Sequence, residues 1–197
     1  MLGDGFHDVP NDRIAAVVTH LQMFARPAPR PEIAGPWQLQ HLPKPDPETY
    51  RSVYRLIGDE WLWFSRIVMG DDELTSIIQH PEIEVYALKI GDKTEGMLEL
   101  DFRVKDEAEL GFFGVGPSLI GGGAARWLMN RAIDLVWQRP IKRFWVHTCT
   151  LDHPSAVKFY IRSGFVPFKR QIEIALDPRL QGFSMTSRKH SPMLARR

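Results

Sequence analysis

A chain of 197 residues, 44% of them hydrophobic, lies in the size range of one domain that buries its own core. The 25 basic and 24 acidic side chains leave a formal charge of +1, which excludes the strong positive field of typical nucleic-acid-binding proteins. The single cysteine, Cys149, excludes an internal disulfide, and no four His or Cys residues stand at zinc-ligand spacing, so no metal is predicted.

The ends of the chain also bear on location and domain organisation. The first residues lack the basic start and apolar stretch of a secretion signal, and apolar runs stop short of the ~20 residues that a membrane helix needs. We therefore expect a cytoplasmic protein with no membrane or nucleic-acid partner. We expect a flexible N-terminus at 1–12, a single domain at 13–182 and a mobile basic tail at 185–197.

The N-terminal segment, residues 13–45, predicts two strands joined by an extended proline-rich connection. Residues 14–24 are rich in β-branched and apolar side chains, four prolines follow between Pro27 and Pro36, and 37–42 form a second short strand. Asp46-Pro47-Glu48 is typical of a helix start, and Gly58 ends that helix. A further helix is predicted over 72–79.

The middle of the chain changes to strand patterns. Residues 83–90, the turn Gly91-Asp92 and the alternation of Leu98 and Leu100 with Glu99 and Asp101 predict a hairpin with one solvated face. Residues 109–115 form a short apolar run bounded by glycine, which is typical of a central strand covered on both faces.

The C-terminal third predicts helix, strand, helix and final strands. Apolar residues between Ala125 and Leu135 repeat at helical spacing, and Arg126, Asn130 and Asp134 form the opposite polar stripe. A strand is expected over 144–148 and a helix from Pro154 to the cap at Gly164, with the last strands beginning at Phe165.

A glycine-rich turn stands between the central strand and the helix that follows. Free backbone N–H groups at a helix start carry partial positive charge, and glycine lets a phosphate approach them. The segment 116–123 ends in Gly121, Gly122 and Gly123, so it predicts an anion site, although a plain flexible turn would have the same composition. The turn lacks the Lys-Ser/Thr of a P-loop and the spacing of a dinucleotide fingerprint, which argues against a nucleotide-binding protein.

Two motifs together resemble the GNAT superfamily of N-acetyltransferases. The family turn Gln/Arg-x-x-Gly-x-Gly/Ala is matched by residues 118–123, and the element Asn-x-x-Ala-x-x-x-Tyr-x-x-x-Gly-Phe is matched by residues 153–165. The resemblance extends over about residues 83–176, the expected coenzyme-binding core. It implies an α/β (α+β) fold with a central mixed, mostly antiparallel sheet of six to seven strands, about four flanking helices and, here, an extra N-terminal strand.

The resemblance also implies acetyl-CoA as co-substrate and a set of residues that bind it. In the family the turn's amides bind the pyrophosphate, and the central strand's edge pairs with the pantetheine arm like an added strand. Ser118 replaces the family's Gln or Arg and His153 replaces its Asn, so two side-chain anchors differ. The implied coenzyme-binding residues are Phe113, Gly114, Val115, Gly121, Gly122, Gly123, Ala124, Ala125, His153 and Ala156.

Acetyl transfer to an amine needs an acid for the departing thiolate and a base for the ammonium proton. Tyr160 resembles the family's general acid, and the alternative is that it only packs against Phe159. Glu109, at the start of the central strand, is the candidate base, and the alternative is a solvated strand-end charge. Other possible bases are Glu99, Asp101 and His147; Cys149 has no activating neighbour in the sequence that would make it an acetyl carrier.

The acceptor region is the least specified part of the sequence. The segment 58–70, with Trp61, Trp63, Phe64 and Arg66, corresponds to the part of the family that covers the acceptor, but the same aromatics suit a core or a subunit contact. We expect a small-molecule or protein amine as acceptor. A homodimer is possible, as is a monomer in which the N-terminal strand extends the sheet. A non-catalytic acyl-CoA-binding module of the same fold is the alternative function.

Overall fold

The computed structural model describes residues 3–183, so the predicted tail at 185–197 lies outside the described residues. Seven strands form one sheet in the order β2-β3-β4-β5-β6-β1-β7. Their bounds are β1 Arg13–Met23, β2 Trp37–His41, β3 Ile83–Ile90, β4 Lys93–Asp101, β5 Glu107–Val115, β6 Arg143–Cys149 and β7 Val166–Leu176. The helices are α1 Pro47–Gly58, α2 Ser65–Val68, α3 Asp71–Ile78, α4 Ala124–Val136 and α5 Ala156–Arg162.

The predicted fold class, a mostly antiparallel mixed sheet with flanking helices, is confirmed. Neighbouring strands pair antiparallel except β5 and β6, which are parallel. Five helices rather than about four flank the sheet, because the four-residue α2 is too short to produce a helical repeat in the sequence. Among residues 3–183 there is no helix long and apolar enough to cross a membrane.

The helices cover the two faces of the sheet. Residues of α1 and α3, among them Tyr50 and Leu74, pack with Val85 of β3 and Met97 of β4 in one core cluster. Residues of α4 and α5 pack on the opposite face with β3, β4 and β6 in a second cluster. The central strand β5 therefore lies between helices on both sides, as predicted.

The N-terminal strand β1 is an interior strand of the sheet. It pairs antiparallel with β6, where His20 lies opposite His147, and with β7, where Ala16 lies opposite Glu173. Both of its edges are thus hydrogen-bonded within the chain. The sequence predicted the strand but not this insertion, because nothing local to residues 13–23 specifies its distant partners.

The connection between β1 and β2, residues 24–36, crosses the outer surface of α4. Since β1 and β2 lie near opposite edges of the sheet, this arm must pass over the helical layer. The predicted polar stripe of α4 receives it: Asn130 Nδ2 donates to the carbonyl of Arg30 at 2.8 Å and to Glu32 Oε1 at 2.7 Å. Asn130 is only 6% exposed as a result, so the stripe is not a solvent face.

The prediction of one solvated face for the β3–β4 hairpin is wrong at Glu99. Helix α1 covers this position, and Glu99 is 1% exposed. Its carboxylate accepts from Tyr50 Oη at 2.5 Å and from Arg66 Nη2 at 2.7 Å. Burial, and then the negative charge of Glu99, raise the pKa of Tyr50, so its hydroxyl remains a donor to the carboxylate.

We expect Arg66→Met to destabilise the protein by about 3 kcal/mol, because a buried carboxylate that loses its cation keeps its desolvation cost. The matched control is Arg103→Met, which removes an arginine whose side chain is 43% exposed in its pair with Asp101. That change should cost less than about 1 kcal/mol. Urea unfolding of both variants measures the difference, and equal free energies of unfolding would contradict the account.

Two element boundaries near the second motif also differ from expectation. Helix α5 begins at Ala156 rather than at Pro154, and His153 lies in the turn before it. The expected last strands are one strand, β7, which pairs with β1 along its length. Gly164 follows α5 with φ +104°, as the predicted glycine cap requires.

Candidate active site

A cavity of about 780 Å³ opens where β5 and β6 separate. The two strands pair only from Glu107 opposite Arg143 to Glu109 opposite Trp145. Beyond Glu109, β5 continues its ladder with β4 alone. The gap between the diverging strands is the site of the cavity, which both predicted catalytic residues line.

The end of β5 offers a strand edge to this cavity. Phe113, Gly114 and Val115 pair with β4 on one side and line the cavity on the other. Within residues 3–183 no β6 residue pairs with these three positions. Their cavity-facing backbone groups are therefore placed to pair with an extended ligand, as an added strand would.

The glycine turn lies at another wall of the cavity and leads directly into α4. Gly121 has φ +82° and Gly123 has φ +93°, a conformation that glycine adopts without strain. Gly123 is the N-cap of α4 and has no side chain to bond the free amides of the first turn. The backbone amide of Gly122, which was also predicted to bind phosphate, is already bonded within the turn: it donates to Leu119 O at 3.1 Å.

The two side chains that depart from the family motifs are engaged within the protein. Ser118 Oγ donates to Glu95 Oε2 at 3.0 Å. His153 Nδ1 accepts from the backbone N–H of Ser155 at 3.1 Å, and its ring lies edge-on to Trp61 at 5.1 Å. His153 and Ala156 both line the cavity, whereas Ser118 is not among its lining residues.

Tyr160 projects from α5 into the same cavity and is 7% exposed. Its ring contacts Phe159 and also Phe113 and Phe165, with centroids 5.6, 6.4 and 5.9 Å away. Burial, and then the negative charge of Asp152, raise the pKa of Tyr160 well above its ordinary value. The phenol therefore stays protonated at neutral pH and can act as a proton donor.

The candidate base Glu109 is paired with His147 on the neighbouring strand. Glu109 Oε1 lies 3.3 Å from His147 Nδ1, and both side chains line the cavity. The hydrogen bond that His147 donates to the Glu109 carboxylate raises the pKa of His147 above its ordinary value, against the opposing effect of burial. The alternative bases Glu99 and Asp101 form salt bridges with Arg66 and Arg103, respectively.

We expect Glu109→Gln to lower the pKa of His147, because the substitution removes the carboxylate that stabilises the imidazolium. The stabilisation from this pair is fully present below the unfolded histidine pKa, ~6.5, and is lost as pH rises through the raised folded value. NMR titration of the His147 ring proton measures the shift. An unchanged His147 titration in Glu109→Gln would refute the pairing.

Asp152 is a cavity residue that sequence reasoning missed. Its carboxylate accepts from Trp63 Nε1 at 2.7 Å, from Thr148 Oγ1 at 2.7 Å and from the backbone N–H of Cys149 at 2.8 Å. These bonds connect the predicted acceptor segment, 58–70, to the turn between β6 and α5. The only sequence signal was an aspartate beside His153, which an ordinary loop would also contain.

Cys149 also lines the cavity but is not an activated thiol. Burial, and then the charge of Asp152, raise its pKa to about 12, so the thiolate is scarce at neutral pH. This agrees with the expectation that Cys149 does not carry the acetyl group.

Comparison with protein families matches residues 50–165, more than half of the chain, to the Acetyltransferase (GNAT) family. The chain belongs to the GNAT family. Members of this family use acetyl-CoA as co-substrate, and the family's fold supports acyl transfer in general. Comparison with the curated protein sequences gives no match.

Solved structures similar to this GNAT chain share its fold at low identity. The alignment with a conserved protein of unknown function from Staphylococcus epidermidis has a TM-score of 0.56 and 13% identity and covers 84% of this chain and 63% of that one. The alignment with a GCN5-related N-acetyltransferase from Sphaerobacter thermophilus has a TM-score of 0.60 and 16% identity, and it covers 82% of this chain and 52% of that one. The alignment with an IAA acetyltransferase from Bacillus cereus has a TM-score of 0.53 and 19% identity, and it covers 68% of this chain and 79% of that one. This GNAT chain thus spans less than two thirds of the first two proteins.

Proposed function

We propose that this chain is an N-acetyltransferase that moves an acetyl group from acetyl-CoA to a primary amine by direct attack in a ternary complex. The observation that carries the proposal is one continuous cavity. It connects the glycine turn before α4, the unpaired edge of β5, the buried hydroxyl of Tyr160 and the pair of Glu109 with His147. These are the groups that coenzyme binding, thiolate protonation and amine deprotonation require.

The residues at the turn fit the diphosphate of the coenzyme. A Cβ at Gly121 would stand in open space beside the turn, with no protein atom within 4 Å. The backbone amides of Gly121, Gly123 and Ala125, which line the cavity, would bind the diphosphate there, and the helix dipole of α4 would add to the attraction. Ala124, predicted with them, is fully buried and outside the cavity lining, so its amide would not reach the ligand. The amide of Gly122, bonded to Leu119, would contribute to the turn's shape instead.

The remaining predicted contacts concern the pantetheine arm. The backbone of Phe113, Gly114 and Val115 would pair with its amides, and His153 and Ala156 line the same cavity. This arrangement would direct the thioester towards Tyr160, whose ring lies beside that of Phe113.

The proposed reaction needs two proton transfers. The neutral amine nitrogen attacks the acetyl carbonyl carbon, and the carbon–sulfur bond breaks. Tyr160 donates its phenolic proton to the departing thiolate, and Glu109, assisted by His147, takes the proton that the amine loses. The products are the acetamide and coenzyme A thiol, and proton exchange with water restores both side chains.

Charge on the acceptor side of the cavity favours a cationic amine. Glu109, Asp152 and Glu173 line this end, while the arginines nearby, Arg66 and Arg103, are each bound to a carboxylate. The negative balance would attract an ammonium group before it loses its proton. The proposal leaves both a small-molecule and a protein amine as acceptors.

The test is release of coenzyme A thiol from acetyl-CoA by the purified protein in the presence of an amine panel. We expect release above the water blank with at least one primary amine and formation of the matching acetamide by mass spectrometry. A matched panel of alcohols and carboxylates should give none. Absence of release with every amine, under conditions in which the coenzyme binds, would contradict catalysis.

An acyl-CoA-binding module without catalysis is the second candidate. It is favoured by the engagement of Ser118 with Glu95 and of His153 with its own turn, since both side chains at the anchor positions already have partners within the protein. Such a module would bind the coenzyme but would not depend on the Tyr160 hydroxyl.

Cytoplasmic location, the lack of nucleic-acid or membrane partners and a homodimer remain predictions.

A further inference from the structure

Three arginines from three different elements converge at the coenzyme end of the cavity. Arg30 belongs to the arm between β1 and β2, Arg126 to the first turn of α4 and Arg162 to the last turn of α5. All three line the cavity together with Gly121 and Gly123. Burial, and then the positive charges of Arg126 and Arg162, lower the pKa of Arg30, which reflects the proximity of the three guanidinium groups.

This cluster has no carboxylate partner within residues 3–183, and the remaining stretch 184–197 contains no aspartate or glutamate. Most other arginines of the described chain are bound to carboxylates: Arg13, Arg26, Arg51, Arg66, Arg103, Arg131, Arg139, Arg143 and Arg179. Three like charges held together beside a cavity repel one another unless an anion lies among them.

The arm is fixed at the point that delivers Arg30. The carbonyl of Arg30 accepts from Asn130, the carbonyl of Pro31 accepts from Arg126 Nη1 at 3.0 Å, and Glu32 is bound by Arg131 at 2.7 Å. Because Arg126 takes part in this anchoring, the same residue holds the arm and lines the cavity. The position of Arg30 is therefore set by the insertion of β1 and the path of the arm over α4.

We propose that Arg30, Arg126 and Arg162 bind the 3′-phosphate of coenzyme A. This inference rests on the proposed function, and it adds a phosphomonoester site to it. Guanidinium groups match a terminal phosphate dianion by charge and by paired hydrogen bonds, whereas the backbone amides of the glycine turn would bind the diphosphate. Arg30 lies outside the family match at 50–165, so this inference adds the arm between β1 and β2 to coenzyme recognition.

The test compares the affinities of coenzyme A and 3′-dephospho-coenzyme A by calorimetry, which requires no variant. We expect the wild-type protein to bind coenzyme A about tenfold more tightly than 3′-dephospho-coenzyme A, because the dephospho form lacks roughly one charge-assisted interaction. Arg30→Gln should reduce this preference to about twofold or less while leaving the affinity for the dephospho form unchanged. Arg26→Gln is the matched control, since Arg26 lies in the same arm but is bound to Asp134.

The outcomes separate this inference from the proposed function. Equal affinities of the wild-type protein for the two compounds would overturn the 3′-phosphate site but leave the coenzyme site intact. A loss of affinity for both compounds in Arg30→Gln would also overturn it, because it would place Arg30 on the diphosphate. Failure of both compounds to bind the wild-type protein would overturn the proposed function and this inference together.

Discussion

Replacement of Tyr160 by phenylalanine should lower kcat by two to three orders of magnitude while the Kd for coenzyme A changes by less than about twofold. A positioned general acid contributes about 10²–10⁴ to a rate, and only the hydroxyl is removed. The ring contacts with Phe113 and Phe165 persist in the variant, so binding and stability should be preserved. Steady-state kinetics and calorimetry on the same preparation measure both quantities.

The matched control is Tyr86→Phe. Tyr86 is a buried tyrosine of the same core cluster, its hydroxyl donates to Glu84, and it does not line the cavity. Its loss should leave kcat within about twofold. Equal kcat for wild type and Tyr160→Phe would remove the tyrosine from the chemistry and favour the acyl-CoA-binding module.

Substitution of Gly121 by valine should weaken coenzyme A binding about a hundredfold. The side chain would occupy the open space beside the turn, and the diphosphate would lose one or two charge-assisted bonds to the backbone, each worth ~1.5–3 kcal/mol. The change also strains the backbone at φ +82°, which costs ~1–2 kcal/mol of stability. Calorimetry gives the affinity and thermal unfolding gives the stability.

Two controls separate the loss of the ligand site from backbone strain. Gly91→Val places a valine at φ +58°, also with no atom within 4 Å of its Cβ, in the β3–β4 turn away from the cavity. The Gly91→Val variant should lose stability but keep its affinity for coenzyme A. Gly122→Ala, at a residue outside the cavity lining and without a positive φ, should bind within about twofold. Equal weakening in all three variants would contradict a specific role for Gly121.

The parts of the fold that could be predicted are those specified locally. The hairpin of β3 and β4 contains its own Gly91-Asp92 turn, and α1 contains its cap, since Asp46 accepts from the Thr49 amide at 2.9 Å. The glycine turn was also visible, because its composition and the helix after it are adjacent in the sequence. In each case the partners lie within a few residues of one another.

The parts that could not be predicted depend on distant contacts. Alternation placed Glu99 on a solvated face, but only the packing of α1 on that face shows that Tyr50 and Arg66 bind it. The pairing of Glu109 with His147 depends on the parallel register of β5 and β6, which no turn sets. The convergence of Arg30 with Arg126 depends on β1 entering the sheet between β6 and β7.

The most direct test of the central claim is an amide NMR titration of the ¹⁵N-labelled protein with coenzyme A. If the backbone at the start of α4 binds the diphosphate, the amides of Gly121, Gly123 and Ala125 should show the largest saturable shifts, beyond those of Gly122 and the buried Ala124. Saturation that leaves these three amides unmoved, or no binding at all, would contradict the account.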